Sequence, residues 1–180
     1  MAFKTLPPRD LLLRLLDYDA ATGVFIWRPR PRKMFRNEQN FRFWNTRYAG
    51  KLAGGIKPNG HLDIAVGHTQ YRAHRLVWLY VRGEPVPDMI DHADRDPLNN
   101  RIGNLRAATR AQNYANVGLR RTNSTGAKGV SSVPGGRYRA RISVDGKEVH
   151  LGRFSTIEEA AAVRKAAAIR LRGEFALLDT

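Results

Sequence analysis

Cysteine is absent from the 180 residues. That excludes disulfides and thiolate zinc ribbons, so any metal must be held by His, Asp, Glu or Asn, a donor set that favours a hard cation. Acidic side chains are scarce, 16 against 31 Lys and Arg, which leaves a formal net charge of +15. Such an excess points to a polyanionic partner, with nucleic acid ahead of an anionic membrane. No apolar run approaches the roughly 18 residues of a spanning helix. The start MAFKTLPPRD lacks the apolar core of a signal peptide. The expectation is a cytoplasmic protein with no membrane partner. Internal repeats and low-complexity tracts are also missing.

What is present suggests two small modules. A hydrophobic content of 42% supports a real core. Leu6 to Tyr18, opened by Pro7-Pro8 and carrying Leu12, Leu13, Leu15 and Leu16, predicts a short amphipathic helix. Asp19 to Gly23 predicts a turn, and Val24 to Trp27 a strand. Residues 28–57 hold nine basic side chains against one acid, Glu38, with Phe35, Phe41, Phe43, Trp44 and Tyr48 interleaved. Aromatic rings among arginines suit backbone tracking with base stacking, and suit equally a loop whose rings dock on the core. His61 to Val66 alternates as a strand does, and Gly67-His68 turns the chain. Ala73 to Arg82 (AHRLVWLYVR) is apolar nearly all round and stops at Gly83, as a buried helix would.

Met89 to Asn116 is the least core-like stretch, with acids, amides and one histidine. Pro85 and Pro87 force an extended approach, which places Ile90-Asp91-His92 on or at the end of a strand. Asp96-Pro97 and Asn99-Asn100 form turns, and the chain returns through Ile102, Asn104, Leu105 and Ala107 as a second short strand. Thr109 is a good N-cap, with Asn113 one turn inside the helix it starts. Hairpin plus helix gathers Asp91, His92, Asn104 and Asn113, a hard oxygen ligand, a base titrating near neutrality and two amides, the material of a one-metal phosphodiesterase. Asn99, Asn100 and Asn116 receive only turn or cap roles, His74 a structural role, and His61 and His68 surface positions.

AHRLVW followed by IDH, NN, NL, T and QN resembles the HNH endonucleases with a ββα-metal core, especially phage and intron homing enzymes, over about Gly50 to Asn116. The resemblance implies that Asp91 and Asn113 are metal ligands, His92 is the general base and Asn104 braces the hairpin and orients the histidine. It implies a divalent cofactor, Mg²⁺ with Mn²⁺ or another divalent ion as alternatives, and products with 5′-phosphate and 3′-hydroxyl ends. Asp91 stands where some members carry histidine, and the paired cysteines of other members are missing.

After Asn116 the run VGLRRTNSTG reads as a linker, with Arg120 and Arg121 able to lie across a phosphate backbone. Pro134-Gly135-Gly136 and Asp145-Gly146 then divide three strands, roughly 128–133, 137–144 and 147–154. A two-residue hairpin would oppose Ile142 to Val149, Ala140 to Leu151, Arg141 to His150 and Ser143 to Glu148, with a bulge expected near Gly152. Ser155 and Glu158 suggest a capping box for an alanine-rich helix that ends at Gly173. KGV, RYRARI, HLGRFSTIEEAA and LRGEFA resemble the APETALA2/ethylene-response-factor DNA-binding domain, which implies that Arg137, Arg139 and Arg141, together with Lys147 and Arg153, meet DNA. Arg75 joins them as an expected DNA contact.

The sequence therefore predicts an α+β protein: a ββα-metal nuclease module over 1–116, a linker over 117–126 and a three-stranded antiparallel sheet packed on one helix over 127–180. The expected function is site-specific, homing-type cleavage of double-stranded DNA by a monomer or homodimer. The alternatives are a DNA-binding regulator with an inactive centre and a restriction endonuclease.

Overall fold

Pro8, with φ fixed at −54°, leads directly into α1 (Arg9–Leu15), which buries Leu12 and Leu15. The helix ends earlier than the leucine pattern predicts. Leu16 turns extended because β1 (Leu16–Asp19) pairs antiparallel with β2 (Val24–Trp27), from Leu16 opposite Trp27 to Asp19 opposite Val24. Tertiary pairing thus overrides the helical preference of the Leu15-Leu16 pair. In the computed structural model residues 5–119, 122–144 and 146–176 are described. The chain is mixed α and β, with small antiparallel sheets, and divides into two units, Met1–Ala107 and Ala108–Thr180.

In the first unit the basic aromatic segment is helical rather than an open loop. The Asn37 side chain accepts from Asn40 N and caps α2 (Glu38–Tyr48). The Arg30 guanidinium lies 3.8 Å from the centre of the Trp44 ring, and Trp27 meets Trp44 edge to face at 5.7 Å. Part of this segment's aromatic content is therefore internal packing, while Phe43 stays 60% exposed. β3 (Gly55–Ile56), β4 (Leu62–Val66) and β5 (Thr69–Arg72) form a three-stranded sheet in that order. α3 (Ala73–Arg82) follows with the expected bounds and ends on Gly83 at φ 78°, a conformation that favours glycine.

The core of the unit joins Leu12, Leu15 and Leu16 to Phe25, Ile64, Leu76, Val77 and Leu79. Each such side chain contributes about 1.5–3 kcal/mol when taken out of water. β6 (Ile90–His92) and β7 (Leu105–Ala107) pair with Asp91 opposite Arg106, and Ile90 and Leu105 fasten this hairpin to the core. The returning strand is shorter than predicted because Ile102–Asn104 makes a 3-10 turn.

The second unit opens with α4 (Arg110–Asn116), where Thr109 and Gln112 form a reciprocal capping box. The division between units falls before this helix, at Ala107. β8 (Val130–Val133), β9 (Arg137–Val144) and β10 (Lys147–Phe154) follow, with β9 central. The register holds as predicted from Glu148 opposite Ser143 to His150 opposite Arg141. A bulge then intervenes, so Ala140 faces Gly152 instead of Leu151. α5 (Ile157–Arg172) starts one residue later than expected: Thr156 and Glu159, not Ser155 and Glu158, make its capping box. Its small residues Ala160, Ala167 and Ala168 are buried, with Ala160 packed with Val130 and Ala140 of the sheet.

Candidate active site

The β6–β7 hairpin carries two buried ionisable groups side by side, Asp91 at 4% and His92 at 7% exposure. A buried carboxylate needs compensation. Arg106, its cross-strand neighbour, donates to Asp91 Oδ2 from both Nε at 2.9 Å and Nη2 at 2.8 Å. His92 Nε2 lies 3.2 Å from Asn100 Oδ1. The tautomer follows from the asparagine. Its Nδ2 donates to the Leu98 carbonyl at 3.1 Å, which leaves Oδ1 to accept from His92. His92 therefore carries its proton on Nε2 and its lone pair on Nδ1.

Sequence reasoning gave Asn100 only a turn role, yet it is 1% exposed and holds the histidine. The Tyr18 hydroxyl donates to the Asn100 carbonyl at 2.9 Å and accepts from Ile102 N at 2.9 Å. The β1–β2 turn packs against the same loop: Gly23, at φ 79°, approaches so closely that a Cβ would lie 2.4 Å from Arg101 N. Asn104 acts on the loop that precedes Asn100. Its Nδ2 donates to Asp94 Oδ1 at 2.8 Å and to the Asn99 carbonyl at 2.9 Å, while Oδ1 accepts from Asp94 N at 3.1 Å. The bracing side chain and the side chain that orients the histidine are thus two different asparagines. Burial raises the Asp94 pKa, but the bonds from Asn99, Asp96 N and Asn104 outweigh it and hold the carboxyl below its ordinary value.

Two further histidines reach this point from distant stretches. His74, second residue of α3, meets His92 edge to face with ring centres 5.2 Å apart. His61, immediately before β4, lies 5.7 Å from His74 and 6.1 Å from His92. Burial, followed by the charges of His92, His61, Arg75 and Arg72, pushes the His74 pKa down to about 3. His61 is also lowered, first by burial and then by Arg72 and His92. Both stay neutral at ordinary pH. A histidine before a strand and one inside a helix start carry no shared sequence signal; only the fold shows that they converge.

The other expected site residues are distributed as follows. Asn113 lies in α4, its backbone N–H bonded to the Thr109 carbonyl at 2.9 Å. Arg75 Nη1 donates to the carbonyls of Pro87 and Asp88 at 2.9 and 3.1 Å, which secures the approach to β6. Arg137 and Lys147 are exposed at the strand ends, and Arg141 pairs with Glu148 at 2.9 Å. Arg139 stands directly opposite Arg153, two like charges in register. Arg120 and Arg121 fall outside the described residues. The carboxylate of Asp91 is the donor type that a hard divalent cation takes. Among the described residues no group of three or more His, Cys, Asp or Glu side chains gathers as a closed metal cage. No helix among them is long and apolar enough to cross a membrane.

Comparison with known proteins matches residues 71–115, from β5 through the hairpin into α4, to the HNH endonuclease family. Over 105 residues the chain is 34% identical to an uncharacterized HNH endonuclease of Acanthamoeba polyphaga mimivirus, an overlap of 57% of this chain and 54% of that protein. The chain thus spans about half of that relative's length. It is 32% identical over 108 residues to Protein 3.8 of Escherichia phage T7, covering 58% of this chain and 88% of that one. With its Asp91-His92 hairpin inside the matched segment, the chain carries an HNH endonuclease domain at residues 71–115.

Proposed function

We propose that the protein is a site-specific, homing-type endonuclease that hydrolyses double-stranded DNA with one divalent metal ion and His92 as general base. The observation that carries this is the hairpin: Asn100 accepts the hydrogen bond of His92 Nε2, which makes Nδ1 the ring nitrogen that would accept a proton from the attacking water. Proton removal of this kind is worth about 10² to 10⁴ in rate. Asp91 and Asn113 would hold the cation, Mg²⁺ or Mn²⁺, the second ligand being assigned by its place in the motif. When bound, the cation supplies charge stabilisation at the scissile phosphate and the departing 3′-oxygen. Asn104 keeps the loop between the strands closed, so that Asn100 stays beneath His92.

The second unit is proposed as the DNA reader, an APETALA2-like sheet that lays Arg137, Arg139 and Arg141, with Lys147 and Arg153, against the duplex. The opposed Arg139 and Arg153 support this, because like charges directly across a ladder repel and are relieved by a bound polyanion. Arg120, Arg121 and Arg75 are proposed as lesser DNA contacts. In the first unit, Arg42, Arg47 and exposed Phe43 on α2 supply the proposed clamp beside the cut; the Arg47 guanidinium lies 5.8 Å from the Phe43 ring.

Incubation of the protein with plasmid and Mg²⁺ or Mn²⁺ tests the proposal. The expected result is cleavage that His92→Ala abolishes while DNA binding persists. The Arg106–Asp91 pair, two N–H groups on one carboxylate oxygen, favours a second reading, a DNA-binding regulator with an inactive centre, because a guanidinium already neutralises the carboxylate. Binding without cleavage by the wild-type protein, with either ion, would establish that reading and sink the first.

A further inference from the structure

His61 and His74 lie beside the proposed base without serving it through any hydrogen bond. His92 is satisfied by Asn100. His61 sits upstream of the segment that matches the family, so its arrival at this point is a property of the fold around that segment. Its Nδ1 is buried without a hydrogen-bond partner. Both rings are half-buried and so keep an accessible edge. The unpaired Nδ1 of His61 is sealed from solvent, so a ligand would meet the two rings at their exposed edges.

The chemistry around the two rings selects an anion. His74 is in the first turn of α3, a helix of ten residues whose amino end has no side-chain cap and no acidic residue. A helix amino end carries partial positive charge and orphan N–H donors. Arg72 precedes it and is partly occupied by Asp63 at 3.0 Å and Asn59 at 3.1 Å. Among the described residues no carboxylate is hydrogen-bonded to either imidazole, although the charge of Asp63 reaches His61. Nor, among those residues, does any group of three or more His, Cys, Asp or Glu side chains gather around them. Neutral imidazoles offer N–H donors, which suit a phosphate oxygen.

We propose that His61 and His74, with the amino end of α3, form a subsite for a backbone phosphate of the bound nucleic acid next to the one held at Asp91 and His92. The inference rests on duplex DNA as the substrate. Its contacts differ in kind from those of the arginines, because a neutral donor releases no counterion when it meets a phosphate. The subsite therefore adds affinity that is insensitive to salt, and it fixes the register of the strand at the cut.

The test uses the full chain and a short duplex of arbitrary sequence, with EDTA present so that cleavage plays no part. Affinities of wild type, His61→Ala, His74→Ala and the donor-retaining His61→Gln and His74→Gln are measured across a salt series. Loss of a hydrogen bond to a charged group should weaken binding roughly tenfold for each alanine variant. The slope of log affinity against log salt should stay that of wild type, whereas loss of one charged contact would reduce it by about 0.9. The glutamine variants should recover part of the loss and decide the matter if an alanine variant fails to fold. Titration of histidine-labelled protein should move the His61 and His74 imidazole resonances. Unchanged affinity, unmoved resonances or a reduced slope would each overturn the proposal. Separate addition of Mg²⁺ to wild type tests cleavage, so an inactive centre with an intact phosphate subsite would show as weakened variant binding without strand scission.

Discussion

At the scale of single residues the site depends on amides whose partners are set by the fold. Asn100 is the sharpest case. Truncating it strands His92 Nε2 without its acceptor and removes the tautomer that places the lone pair on Nδ1. Asn100→Ala should lower stability by about 1–3 kcal/mol. It should also reduce cleavage by at least about tenfold, toward the limit set by losing the base. Thermal melts and single-turnover rates check both; full activity in the variant would show that Asn100 is only a turn. The sequence made Asp91, His92 and Asn104 legible because their spacing matches a motif. It gives the histidine's partner as Asn104 and hides Asn100, because Asn99-Asn100 reads as a turn. Which asparagine meets the histidine is decided by Tyr18, 82 residues away in sequence, through the Asn100 carbonyl.

At the scale of elements, short-range chemistry is legible in the sequence where it acts alone. α3, the Thr109 cap and the strands 137–144 and 147–154 follow from glycine stops, hydroxyl caps and turn pairs. α2 was hidden because its arginines and aromatics serve a helix as readily as a loop, and only the stacking of Trp27, Arg30 and Trp44 reveals how it docks. α1 is shortened by a partner strand that the leucines do not announce. The central and edge strands of the second unit also carry a prediction. Arg139→Gln with Arg153→Gln removes the opposed like charges. The protein without DNA should gain about 0.2–1 kcal/mol at low salt, less at high salt. DNA affinity should fall with a flatter salt dependence. Denaturant midpoints and binding isotherms at two salt concentrations read both effects, and a loss of stability on neutralisation would contradict the pairing argument.

At the scale of the whole molecule, a net charge of +15 favours polyanionic partners at neutral pH, yet the half-buried imidazoles resist further charging. His74 has a folded-state pKa of about 3. Its unfolded value is near 6.5. Below about 6.5 the unfolded chain binds the extra proton, so the contribution is complete above that pH and is lost as pH falls toward the folded value. His61, also lowered, acts in the same direction. Stability should therefore drop by up to about 1.4 kcal/mol per pH unit from this one group between pH 6 and 4. His74→Gln should flatten that part of the curve in urea titrations; an unchanged slope would mean that His74 is already charged in the folded protein.

The contact of the β1–β2 turn with the loop at Asn100 and Arg101 bears on safety during synthesis. Gly23 and Tyr18 are made long before His92 emerges, but they support it only after the chain has closed on itself. A nascent or partly degraded chain would carry the motif without the support that aims it. If the protein cuts as proposed, cleavage waits on the finished fold.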